Sequence, residues 1–83
     1  MGSLTDVFSE EELLAALADP AVECVVINGG VRFTQPRTFA KTVYIEGGGS
    51  LLVPAGMSLT VDGAVLCVNG AIYCNDLTVR NGG

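Results

Sequence analysis

The sequence predicts a mainly β fold: a short parallel β-solenoid of about three coils, closed at its start by one α-helix. Three observations lead there. From Cys24 onward, apolar and other residues alternate in short runs. Each run ends in Gly, Asn, Asp or Pro, the residues that turn a chain. One phrase, apolar-x-apolar-polar-Gly, recurs at Val25–Gly29, Val43–Gly47 and Leu59–Gly63, with a looser copy at Leu77–Gly82. Its starts lie 18, 16 and 18 residues apart.

The N-terminal segment reads differently. "VFSEEELLAALADPAVE" has the marks of one helix. Ser9 is a good N-cap, Glu12 completes a capping box, and Phe8 and Leu13 stand at staple positions. Glu10, Glu11 and Glu12 fall in the first turn, where the helix dipole favours negative charge. Leu13, Leu14 and Leu17, flanked by Ala18 and Ala21, form an apolar stripe, and Pro20 stops the helix near Asp19. Residues 1–23 are thus expected as an acidic capping helix and 24–83 as coils, together one domain of 83 residues.

Each later run places two residues on one face. The pairs are Val25 with Ile27, Val31 with Phe33, Val43 with Ile45, Leu51 with Val53, Leu59 with Val61, Leu66 with Val68, Ile72 with Cys74, and Leu77 with Val79. If coils stack, inward residues form ladders, expected as Val25, Val43, Leu59, Leu77 and as Ile27, Ile45, Val61, Val79. A meander of hairpins turned by "NGG" and "DG" is the competing arrangement. The solenoid is preferred because similarity links every second or third strand, not neighbours.

The helix followed by "CVVINGGVRF", "TVYIEGGGSLLV", "LTVDGAVLCV" and "LTVRNGG" resembles the N-terminal cap and first coils of right-handed parallel β-helix, pectate-lyase-like proteins. The resemblance covers residues 9–82. It implies a right-handed solenoid whose helix closes the open top. Its motifs are short and degenerate, so it speaks to fold and not to activity; the family's enzymes use clustered Asp on the outer face of one strand stack.

Here the acids in the coils are Glu46, Asp62 and Asp76. Glu46 and Asp62, with Asn28, occupy equivalent positions in the repeat and are expected one above another. Two stacked carboxylates offer too few oxygens for Ca²⁺, so turn formation is the preferred role. "EGGGS" lacks the Lys-Ser/Thr pair of a phosphate loop, and no helix is expected after it. There is no His, which removes the usual general base. Cys24, Cys67 and Cys74 are an odd count without C-x-x-C spacing, better read as reduced cytoplasmic thiols than as a disulfide or metal set. Cys67 is expected to point outward and Cys74 inward. Phe33 and Phe39 are expected as core fillers, and Arg32, Arg37 and Lys41 as a solvated basic face. No catalytic set, cofactor, metal, membrane span or direct nucleic-acid contact is expected.

Two surfaces remain. The net charge of −5 is polarised. Asp6, Glu10, Glu11, Glu12, Asp19 and Glu23 face no Lys or Arg within residues 1–23. Such a surface can attract a basic protein and imitate a nucleic-acid backbone. The leading expectation is a non-enzymatic inhibitor or decoy that occupies a partner's basic, nucleic-acid-handling surface. Small acidic phage-encoded inhibitors, anti-CRISPR proteins among them, are similar in size and charge only. The second surface is the last coil, which is expected to lie uncapped after "LTVRNGG". A homodimer or docked partner is expected there, through Ile72, Cys74, Leu77 and Val79. A structural module acting through that edge is the alternative function. A degenerate carbohydrate-active β-helix acting through Asp62 comes third.

Overall fold

Period-two alternation yields ten short strands and one helix across residues 4–83, the part of the chain described by the computed structural model. In order they are β1 (Leu4–Val7), α1 (Glu10–Ala18), β2 (Cys24–Ile27), β3 (Gly30–Arg32), β4 (Arg37–Phe39), β5 (Thr42–Ile45), β6 (Ser50–Val53), β7 (Leu59–Asp62), β8 (Leu66–Val68), β9 (Ala71–Cys74) and β10 (Leu77–Arg80). Every strand pairing is parallel. That excludes the meander, whose hairpins would make neighbours antiparallel.

The strands form three sheets, ordered β1-β2-β5-β8, β3-β6-β9 and β4-β7-β10. From β2 onward, consecutive strands therefore lie in different sheets. The chain visits the three sheets in turn and comes back one strand further along. It does so three times, through β2–β3–β4, β5–β6–β7 and β8–β9–β10, with β1 added before β2 as an extra strand of the first sheet.

The inward parity expected from the sequence is right. Val25, Ile27, Val31, Phe33, Val43, Ile45, Leu51, Val53, Leu59 and Val61 are all buried. Phe33 and Phe39 fill the first circuit as a T-shaped pair, ring centroids 6.1 Å apart, a geometry aromatic quadrupoles favour. The ladders, however, hold only in halves: the steps Val25 to Val43, Ile27 to Ile45, Leu59 to Leu77 and Val61 to Val79 form as expected, but Val43 does not lead to Leu59 nor Ile45 to Val61. Val25 pairs with Val43 and then Leu66, and Ile27 with Ile45 and then Val68. Leu59 and Val61 belong to the third sheet, between Arg37 and Phe39 on one side and Leu77 and Val79 on the other. The repeated phrase thus marks two different sheets, because the chain needs five more residues between β5 and β8 than between β2 and β5.

Two strands were not expected. β4 is short, polar on one side and preceded by Pro36. β1 has a single buried residue, Val7, and exists because β2 offers it an edge.

One corner dictates glycine. Where the first sheet hands over to the second, each circuit passes hard against the one before. A Cβ on Gly49 would lie 2.2 Å from the carbonyl oxygen of Ile27, and one on Gly70 would lie 2.1 Å from that of Glu46. "EGGGS" is therefore a close-approach corner. Gly47 and Gly48, by contrast, meet nothing.

Helix α1 matches its expected limits. Ser9 caps it, its hydroxyl accepting from the Glu12 amide at 3.3 Å. Glu12 returns the bond one residue early, accepting at 2.8 Å from the amide of Phe8 instead of Ser9. The staple does not form as expected, since Leu13 is fully buried while Phe8 is 57% exposed. The buried stripe is Leu13 with Ala16, and Leu17 packs against it. Ala18 and Ala21 face solvent.

Candidate interaction surfaces

The helix is fastened at both ends by the basic residues of the first circuits. At its start, the Glu10 carboxylate accepts from the Thr34 amide and hydroxyl, each at 2.8 Å, and from Arg37 at 3.3 Å. The Thr34 amide is the first cause holding its carboxyl below the usual glutamate range, and the Thr34 hydroxyl and Arg37 add to it. At its end the helix has no cation of its own. Lys41 supplies one, its Nζ donating to the Ala16 carbonyl at 2.9 Å and to that of Asp19. A cation on the last carbonyls complements the helix dipole. Arg37 and Lys41 are thus clamps and not a solvated patch, because the helix termini sit within their reach. Arg32 alone of the three is exposed.

The clamps and local turns also absorb most of the acidic set. Asp6 accepts from the Asn28 amide group at 2.7 Å, Glu12 from Phe8, and Asp19 from the Ala21 amide at 2.9 Å. Glu10 is neutralised by Arg37. Among the described residues, Glu11 and Glu23 are exposed carboxylates with no intramolecular partner.

The acids of the coils do not converge. Asn28 and Glu46 follow strands of the first sheet, whereas Asp62 ends a strand of the third. The expected stack of Asn28, Glu46 and Asp62 is therefore wrong, for the same reason as the ladders: Asn69 follows β8 at that place in the third circuit. Asp62 instead accepts from Asn81 and, at 3.3 Å, from Arg80. The Asn81 bond first, then Arg80, lowers its pKa. Asp76 is exposed, and its carbonyl accepts from the Cys74 thiol at 3.3 Å. Cys74 packs partly inward, while Cys67 sits in register with the outward Tyr44. All three cysteines are free. No group of three metal-ligating side chains exists among the described residues.

The opposite end is another matter. β8, β9 and β10 are the last strands of their three sheets and lie at one end of the molecule. Their inward residues keep the right parity but have no layer beyond them. Val68 is 40%, Leu77 49% and Val79 53% exposed. Ile72 and Cys74 are half-buried against the core. The end opens as an apolar groove of about 410 Å³, lined by Val61, Leu66, Val68, Ile72, Leu77 and Val79. Sequence reasoning had named Ile72, Cys74, Leu77 and Val79 but had left out β8. The alternation in "AVLCVNG" already places Leu66 and Val68 inward, and was the signal that includes them. No helix of the described residues is long and apolar enough to cross a membrane. Comparison with family models, with curated proteins and with solved structures finds no match for this chain.

Proposed function

We propose that this chain is a short right-handed parallel β-solenoid that works, without catalysis, as an assembly module through its unclosed end. The observation that carries this reading is the coincidence of three free strand edges with one apolar groove. Free edges and exposed core residues are both drawn to pairing, and sheets that are not meant to pair are protected by Lys, Pro or bulges. No Lys or Pro stands among the groove residues. The circuit of strands through three parallel sheets supports the solenoid. The strong right-handed preference of parallel β connections supports its hand. The helix at the opposite end supports the resemblance to capped pectate-lyase-like β-helices. Three free thiols suit a reducing cytoplasmic compartment.

The dye ANS probes the groove. It is expected to bind the dilute chain and to lose binding in Val68→Lys. A wild-type chain that binds no dye counts against an open apolar end.

Glu11 and Glu23 support a second reading, in which the acidic cap docks on a basic protein surface as a decoy. Salt-sensitive binding of poly-lysine, lost on Glu11→Gln with Glu23→Gln, is its expected behaviour. Binding unchanged in that double variant removes it.

A further inference from the structure

We infer that the unclosed end is a self-association face, and that it closes on a second copy of this chain related by a two-fold axis. The inference rests on the assembly reading above and names its partner. The end makes an unusual demand. β8, β9 and β10 present three edges around one apolar groove. An extended peptide satisfies one edge, and a helix satisfies none. A surface with three edges at the same mutual angles, around an apolar opening of the same width, satisfies all three. This chain carries such a surface, which is its own end.

The two-fold geometry is consistent with the strand directions. Within one copy all strands run in the same sense around the molecule. Turning a second copy over reverses that sense, so the facing edges meet antiparallel. One sheet continues into its own counterpart across the axis, and the other two exchange partners. Antiparallel pairing is at least as stable per residue as parallel. The inward residues Val68, Ile72, Leu77 and Val79 of one copy then face those of the other, which restores the missing layer beneath the last circuit.

Charge and the cap decide the orientation and the size. Asp6, Glu10, Glu11, Glu12, Asp19 and Glu23 all lie in the segment at the closed end. End-to-end closure keeps the two acidic segments far apart. Head-to-tail stacking would press one of them against the groove. The other end does not match the open one, because α1 is clamped beside its first circuit by Arg37 and Lys41. An isologous contact uses the same patch on both copies and so closes at two.

Sedimentation equilibrium of the full chain over a range of concentrations tests this. The expected result is a monomer–dimer equilibrium, with the mass rising from 8.5 kDa toward twice that value and no further. Val79→Lys is expected to raise the dissociation constant at least about a hundredfold, since it leaves two unpaired ammonium groups in the contact. Val68→Lys is expected to do the same. Leu52→Lys changes an exposed apolar residue on the outer side of β6 and is expected to leave it unaltered. Circular dichroism checks that each variant keeps its strands. A mass of 8.5 kDa throughout, with ANS still bound, overturns the second copy and leaves the assembly reading standing. The same mass without dye binding overturns both. A mass that climbs without limit, or equal dissociation by Leu52→Lys, overturns the closed two-fold contact.

Discussion

At the residue scale, the inward positions were legible and the glycines were only half legible. Alternation alone tells which residues face in, because a strand has only two faces. It placed Val25 through Val61 correctly, and the last circuit too, where the same parity meets solvent. It could not tell which of Gly47, Gly48 and Gly49 is irreplaceable, since that depends on which carbonyl of the previous circuit lies opposite. The Ile27 and Glu46 carbonyls single out Gly49 and Gly70. Gly49→Ala and Gly70→Ala are each expected to cost about 1–3 kcal/mol, the usual penalty of overpacking against a backbone that cannot yield. Gly47→Ala is expected to cost almost nothing. Urea unfolding of the three variants checks this. Phe33→Ala removes half of the T-shaped pair at full burial, with an expected loss of about 3–5 kcal/mol.

At the element scale, the contrast lies within helix α1. Its local features, the Ser9 cap and the Glu12 return, join residues three or four apart and can be read directly. Its anchors join Glu10 to Thr34 and Lys41 to Ala16, partners more than twenty residues away, and only the fold brings them together. This is why first-turn glutamates and a basic cluster looked like separate solvated features. The Glu10 carboxyl is held below its unfolded value. Its contribution is therefore complete above the ordinary range, near pH 4.5, and is lost as pH falls through the lowered folded value. Glu10→Gln is expected to be less stable than the wild type at neutral pH, with the gap narrowing as the pH falls below that range. Thermal unfolding at a series of pH values reads the sign, and a gap independent of pH removes the carboxylate from the account. Lys41→Met removes the cation from the helix end at a cost of about 1 kcal/mol, given that charged hydrogen bonds at partly exposed sites are worth little more.

At the scale of the whole molecule, the repeat was visible but its phase was not. "VVING", "VYIEG" and "LTVDG" are alike because each is two inward residues followed by a turn. That likeness does not say which sheet each belongs to. The register does: the third circuit begins at Leu66, and Leu59 closes the second. With that phase, the expected carboxylate stack dissolves and the uncovered last circuit gains β8. The acidic cap loses ground as a docking surface, because four of its six acids hold the cap itself in place. The open end gains ground, because three edges and a groove coincide there.

The central claim is that β8, β9 and β10 offer unpaired edges which assembly covers. Residue-by-residue amide hydrogen exchange, on the full chain when dilute and when concentrated, tests it most directly. The account predicts that solvent-facing amides between Leu66 and Arg80 exchange freely at dilution and gain protection with concentration, while those of β2 and β5 stay protected throughout. Equal and full protection of β8, β9 and β10 at every dilution would contradict it.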